Sequence, residues 1–220
     1  MLELGLKVLI AYLLGSIVGA LAIGQVRGVD IRTLGSGNAG GTNALRTQGL
    51  AFAAGTVVID IGKGWLAAGW LPGLAIPGVA ADPVIGRDWL AVGCATAAVA
   101  GHVWPLWHDF RGGKGGATLA GALLALAPGL LAVALGAWLA VAALTGFVGL
   151  ATVSAAGAAA GAAAVAAEWS LRDSWALPGF TIAMLCLVAF AHRGNLARML
   201  AGTEPRAEKI WLLRPRNRAQ

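Results

Sequence analysis

From Gly115 to Ala167 the chain runs for 53 residues without a single Asp, Glu, Lys or Arg. One helix cannot use that length, because about 20 residues already cross the hydrocarbon core of a bilayer. The run must therefore fold back on itself inside a membrane. Pro128-Gly129 and Thr145-Gly146 supply the breaks, since proline interrupts the helical hydrogen-bond ladder and glycine turns the chain easily. The rest of the sequence agrees. Of 220 residues, 58% are hydrophobic and 12% charged, whereas soluble domains carry about 25% charged residues. The mean hydropathy is +0.76. A soluble globular domain, a disordered chain and a disulfide scaffold are all excluded. The two cysteines, Cys94 and Cys186, both lie in apolar runs.

A net charge of +6 suits nucleic acid in general, but the placement of the basic residues argues for a membrane. Arg27, Arg32, Arg46, Arg111, Lys114 and seven residues after position 192 account for 12 of the 16 Lys and Arg. That asymmetry puts the loops 27–50 and 108–118 and the tail 192–220 in the cytoplasm. Spans are predicted over 4–26, 51–71, 89–107 and 175–191, with the prolines of Pro72–Asp88 in an external loop. If Arg111 and Lys114 are inside and the Glu168–Asp173 loop outside, the charge-free run must cross an odd number of times. Three short crossings result. The prediction is an all-α polytopic membrane protein of about seven transmembrane helices, N-terminus outside and C-terminus cytoplasmic, in one domain over 1–220. Six spans result if 115–127 does not cross. Ala20-Leu21-Ala22 resembles a signal-peptidase site, but Glu3 and a lone Lys7 make a poor leader, so the segment is read as a span. Gly157 and Gly161, at small-xxx-small spacing, are expected to bring helices close. Trp70, Trp89, Trp104, Trp107 and Trp169 read as interface anchors.

Three polar clusters fall on the predicted cytoplasmic side. The first is Leu34-Gly35-Ser36-Gly37-Asn38-Ala39-Gly40-Gly41-Thr42-Asn43, followed by Arg46. Its glycines let backbone N–H groups turn toward an anion. A short helix starting there would put Thr42, Asn43 and Arg46 on one face. The second is Gly101-His102 and then Arg111-Gly112-Gly113-Lys114-Gly115-Gly116-Ala117-Thr118. Glycines around a lysine just before a helix suit a phosphate held by amides and one ammonium, although the spacing is not that of a Walker A loop. The third is His192-Arg193-Gly194-Asn195 at the end of the last span. Asp60 and Lys63, costly within the second span, are expected to pair with each other. No carboxylate or Cys/His cluster has metal-ligand spacing, so neither a metal nor another cofactor is expected. The His-x4-Asp signature of acyl-CoA-dependent glycerolipid acyltransferases is also missing. Cations, amides and hydroxyls remain, which suits a phosphorylated substrate.

In these clusters the chain closely resembles the bacterial acyl-phosphate:glycerol-3-phosphate acyltransferases, the PlsY family. The residues that carry the resemblance are Gly28-Val29-Asp30-Ile31-Arg32, Gly35-Ser36-Gly37-Asn38, Thr42-Asn43 and Leu45-Arg46. Further along they are Gly101-His102, Pro105, Gly112-Gly113-Lys114-Gly115, Ala117-Thr118, His192-Arg193, Asn195, Gly202 and Glu204, with Asp60, Lys63 and Gly64 between. The departures are Val18, Gly41, Gly116, Gly194 and the stretch Gly146–Thr152, which lacks the family's basic and Ser-containing residues. The resemblance implies a multi-pass enzyme of the bacterial inner membrane with a cytoplasmic active site. Such an enzyme moves an acyl group from acyl phosphate to the 1-hydroxyl of glycerol 3-phosphate, giving 1-acyl-glycerol 3-phosphate for phospholipid synthesis. Its partners are the two substrates and the lipid bilayer, with no nucleic acid.

On that reading Lys114 and Arg46 hold phosphate. Ser36, Asn38 and glycine amides stabilise the oxyanion or position the donor, and His192, oriented near Asn195, is the candidate base. Gly37, Thr42, Asn43, His102, Gly112, Gly113 and Gly115 complete the substrate-binding set. Two alternatives stay open for the chemistry: a substrate phosphate oxygen takes the proton, or Ser36 is a covalent nucleophile. A transporter of a phosphorylated solute is the rival from another class. It should show broken helices in two related halves, and no convincing internal repeat is present.

Overall fold

The computed structural model describes residues 1–169, 175–208 and 210–213. Among these, every regular element is helical, and the chain divides into two compact units, Met1–Pro128 and Gly129–Gln220. Most of the predicted 168–173 loop, the Trp169 side chain, Lys209 and the arginines beyond 213 lie outside the described residues.

The first unit holds α1 (Leu2–Gly15), α2 (Gly19–Arg27), the short α3 (Gly41–Gln48), α4 (Leu50–Trp65), α5 (Arg87–Val103) and α6 (Gly116–Leu126). The predicted span 4–26 is not straight: α1 and α2 meet at 48°. α4 continues through a π-helical turn, Leu66–Trp70, to Gly73. The helices cross at glycine. A Cβ on Gly15 or Gly101 would lie closer than 3.0 Å to a backbone oxygen of the facing helix, Ala98 for the first and Tyr12 for the second. Gly64 and Gly121 do the same for α4 against α6, meeting the Thr118 and Ile61 carbonyls. Within lipid, where apolar surface gains nothing from leaving water, this backbone proximity supplies the dispersion contacts that hold helices together. Trp70, Trp89, Trp104 and Trp107 are all exposed, as interface anchors would be.

The second unit holds α7 (Pro128–Thr145), α8 (Val148–Trp169), α9 (Ala176–Ala191) and α10 (Arg193–Leu200). α8 buries Ala151, Ala155, Ala159 and Ala163, and α9 buries Phe180, Met184 and Val188. Alanine, not glycine, makes this contact. Gly157 has only an ordinary contact with Leu185 at 3.9 Å, and Gly161 has nothing within 4 Å of a would-be Cβ. The expectation that these two glycines bring helices together is therefore wrong. The chain after α10 runs back over the α7–α8 turn. There Ala207 N donates to Gly146 O and Leu212 N to Ala143 O, both at 2.8 Å. Trp211 Nε1 donates to Leu144 O at 3.1 Å.

The charge-free run is broken where the sequence places its breaks, after Leu126 and after Thr145, into α6, α7 and α8. Among the described residues four helices are long and apolar enough to cross a membrane, and up to six spans result if each bent pair, α1–α2 and α9–α10, counts as one. α6 is the exception. Its 11 residues rise only about 16 Å, roughly half the hydrocarbon thickness.

Candidate active site

The first polar loop begins where Gly28 ends α2 in the left-handed region, at φ 66°. Asp30 then takes the Arg32 backbone N–H at 2.9 Å, and the Arg32 guanidinium reaches both of its carboxylate oxygens. That guanidinium holds the Asp30 carboxyl below its usual 3.8. Arg32 Nη1 also donates to His108 O at 3.2 Å, tying the first loop to the second. Gly35 and Gly37, at φ 56° and 71°, flank Ser36, which is thereby exposed at the tip of the loop. Only glycine occupies two such positions without strain.

Asn43 shapes this tip from below. It is 2% exposed. Its Nδ2 donates to Ile31 O at 3.2 Å and Leu34 O at 2.9 Å, and its Oδ1 accepts the Ser36 N–H at 2.9 Å. α3 does form at the expected place, and Thr42 and Arg46 are exposed on it. Asn43 does not share their face, which corrects the reading from its three-residue spacing to Arg46. Its amide is occupied with backbone. Asn38 is half-buried against Gly40.

The second loop folds back on the end of α5. Gly112 N donates to Val103 O at 3.2 Å and Gly113 N to His102 O at 3.1 Å, satisfying carbonyls that the helix end leaves open. Gly113 is buried, and a Cβ there would strike His102 Nε2 on one side and Ala39 O of the first loop on the other. Gly115, at φ 82°, is the N-cap of α6, so half-buried Lys114 stands immediately before a helix N-terminus. Two consecutive non-glycine residues, Asp109 and Phe110, have positive φ of 55° and 57° in the same loop. L side chains adopt that conformation at a cost.

Beneath both loops is a buried charged cluster. Lys63 Nζ lies 3.0 Å from Asp60 Oδ1, so the predicted ion pair is present. The same ammonium donates to Gly15 O and Ile17 O at 2.8 Å each and approaches His102 Nδ1 at 2.9 Å. Asp60 Oδ1 accepts Gly19 N at 3.0 Å. His102 is 3% exposed, so its ring belongs to this cluster.

In the second unit, His192 marks the break between α9 and α10, which meet at 56°. It is buried, and Nδ1 donates to Val188 O at 2.8 Å. That bond selects the tautomer whose lone pair is on Nε2, the form a general base requires. Asn195 donates to Glu204 Oε1 at 2.5 Å, while Arg198 Nε reaches Glu204 Oε2 at 2.8 Å. Gly149 on α8 leaves room for Asn195, since a Cβ there would lie 2.8 Å from the Asn195 Cβ. The Asp30–Arg32 clamp and the partnership of Glu204 with Asn195 were not read from the residues. Two opposite charges two residues apart in one short polar loop, and two carboxylates, Glu204 and Glu208, in an otherwise basic tail, are the signals that could have found them.

The polar equipment comprises an exposed hydroxyl, backbone amides at glycine, a lysine at a helix start and an arginine on α3. It suits phosphate and an activated carbonyl. Comparison with known proteins agrees. A family model described as glycerol-3-phosphate acyltransferase matches residues 5–202. The glycerol-3-phosphate acyltransferase of Thermosynechococcus vestitus is 41% identical over 208 residues, covering 92% of this chain and 94% of that protein. The Bordetella pertussis protein of the same name is 37% identical, covering 92% and 91%. The crystal structure of PlsY, an integral membrane glycerol 3-phosphate acyltransferase, in its glycerol 3-phosphate form is similar with a TM-score of 0.79 at 31% identity, covering 92% of this chain and 94% of that one. Its lysophosphatidic acid form gives 0.78 at 30% identity, covering 94% and 97%. An enzyme family thus takes the place of the transporter alternative, and this all-helical integral membrane chain belongs to the PlsY family of glycerol-3-phosphate acyltransferases.

Proposed function

We propose that this glycerol-3-phosphate acyltransferase uses acyl phosphate as its donor and transfers the acyl group directly to the 1-hydroxyl of glycerol 3-phosphate, giving lysophosphatidate and phosphate. The observation that carries the reading is the meeting of the two glycine loops, with Gly113 seated against Ala39 and Arg32 bonded to His108 O. The first loop offers Ser36, Gly37, Asn38, Thr42 and Arg46, and the second offers Lys114 among Gly112, Gly113 and Gly115. Lys114 and Arg46 hold phosphate by charge-assisted hydrogen bonds. Ser36, Asn38 and nearby amides stabilise the oxyanion as the carbonyl becomes tetrahedral. His192 takes the hydroxyl proton on Nε2, with Asn195 beside it in sequence and held by Glu204. The bond from the substrate oxygen to the acyl carbon forms first, and the tetrahedral adduct then collapses, breaking the bond from that carbon to the phosphate oxygen and releasing phosphate. Asn43 and His102 act through the loops they support, not through direct substrate contact.

The whole chain, 1–220, serves as one acyltransferase domain in the bacterial inner membrane. Seven crossings, with α6 as a short one, put both loops and the tail in the cytoplasm. The division of the charge-free run into three helices and the basic bias of those loops support that topology. The decisive assay presents the purified enzyme with glycerol 3-phosphate and either acyl phosphate or acyl-CoA. Product from acyl phosphate alone is expected, and equal use of acyl-CoA would refute the donor assignment. His192→Gln with near-normal turnover would remove histidine as the base and leave a substrate phosphate oxygen in that role. An acyl-enzyme trapped after mixing with acyl phosphate alone would instead make Ser36 the nucleophile.

A further inference from the structure

Asp60, Lys63 and His102 are 1%, 3% and 3% exposed. Removing charged groups from water is expensive, and well-packed apolar residues of similar volume would often be at least as stable. Their contacts show what the arrangement achieves. The Lys63 ammonium binds Gly15 O and Ile17 O, at the negative end of the α1 dipole, while Asp60 binds Gly19 N, at the positive end of α2. The pair thus holds the break between the two helices at both sides. His102 Nδ1 lies 2.9 Å from the same ammonium and 3.3 Å from Asp60 Oδ1. Both members of the ion pair thus engage one ring nitrogen and orient the imidazole. The ring edge then abuts Gly113, whose N–H is bound to the carbonyl of the same histidine at 3.1 Å. Gly113 has no space to move toward His102 on one side or Ala39 on the other.

We propose that Asp60, Lys63 and His102 are positioning residues that set the Gly112–Lys114 loop for a substrate's phosphate group, acting through the His102 ring on Gly113. The proposal rests on reading that loop as a phosphate site. The bound phosphate belongs to glycerol 3-phosphate or to acyl phosphate, and kinetics distinguishes them. A misplaced binding loop weakens ground state and transition state alike, so KM rises while kcat changes little.

The test measures the full-length enzyme in detergent micelles, titrating each substrate, with thermal unfolding as the check on assembly. His102→Leu is expected to raise one KM about tenfold while kcat stays within about threefold. The KM that rises is the same one that rises in Lys114→Ala. In His102→Asn, the side-chain amide stands near the position of Nδ1 and bonds to Lys63 through its oxygen or to Asp60 through its nitrogen, so that KM returns to within about threefold of wild type. Lys63→Met, which removes the orienting ammonium, should resemble His102→Leu. An unchanged KM in His102→Leu, a loss confined to kcat, or Asn and Leu variants equally impaired would each overturn the proposal. If His102→Leu does not assemble, a double-mutant cycle of Gly113→Ala with His102→Asn decides. The KM penalty of the added methyl should be at least about fivefold smaller beside asparagine, and additive penalties would overturn the idea. Lys114→Ala separates the two levels. If it raises a KM that His102→Leu leaves alone, only the positioning role fails. If it leaves both KM values unchanged, the phosphate reading fails and takes this proposal with it.

Discussion

The two units solve the problem of packing in lipid differently. Met1–Pro128 crosses its helices at Gly15, Gly64, Gly101 and Gly121, where backbone meets backbone, and it buries Asp60, Lys63 and His102 between them. The unit from Gly129 onward joins α8 to α9 through alanines and larger apolar side chains. Its side-chain ion pair among the described residues, Arg198 with Glu204, leaves the arginine half-exposed. Close backbone contact and buried charge occur together for a reason. Helices brought close at glycine present carbonyls and helix ends within reach of an interior ammonium or carboxylate, and a buried charge without such partners is not tolerated.

The sharpest way to break that comparison is to add one methyl to each unit. Gly121→Ala should cost about 3 kcal/mol, the upper end for overpacking, because its methyl meets the Ile61 backbone. Gly161→Ala should cost nothing and gain up to about 1 kcal/mol from helix propensity. Thermal unfolding in detergent reads both, and equal effects would dissolve the distinction. Next in size is Asn43→Ala, which takes the acceptor from Ser36 N and one of two donors from each of Ile31 O and Leu34 O, and should lose about 2 kcal/mol. Activity should fall with it, because Ser36 N loses its acceptor.

In the second unit the corresponding device is the tail. The Arg206 guanidinium lies 4.4 Å from the Phe147 ring and 4.1 Å from the Trp211 ring, and donates to Thr145 O at 2.9 Å. Arg206→Ala should cost only about 1 kcal/mol, as befits exposed cation–π contacts. Limited proteolysis of the tail is the direct readout, and unchanged cleavage would mean that Arg206 does not hold it. The smallest effect concerns Asp30. Its carboxyl is held below 3.8 by Arg32. Its contribution is therefore complete above that value and disappears as pH falls through the lower folded one. Asp30→Asn should lower stability slightly at neutral pH, with the difference from wild type vanishing below about pH 4, as unfolding across a pH series would show.

Local punctuation was legible in the sequence. Pro128-Gly129 and Thr145-Gly146 break the charge-free run as read, because proline and glycine act on the backbone whatever surrounds them. The start of α3 and the Asp60–Lys63 pair were also legible, from composition and from the cost of charge in lipid. The 48° bend inside 4–26 was not, since Ser16-Ile17-Val18 carries no breaker and the bend is held by Lys63 and Asp60, more than 40 residues away. Asn43 was placed on the wrong face for a related reason. Three-residue spacing says which side chains are neighbours on a helix, but not which of them turns toward the loop.

By itself, the sequence determined that this chain enters a membrane as helices, where the long apolar run breaks, and that amides and cations suited to phosphate are grouped in three places. These follow from hydropathy, backbone chemistry and charge, which act locally. Only the tertiary structure decided which glycines are crossing points. Gly157 and Gly161 have the same spacing logic as the glycines of α4 and α6, yet only the latter face a partner's backbone. It also decided that His102 is a buried neighbour of Gly113, that Asn43 holds Ser36, and that Glu204 holds Asn195. Contacts between residues far apart in the chain depend on how helices cross, and no local pattern encodes that.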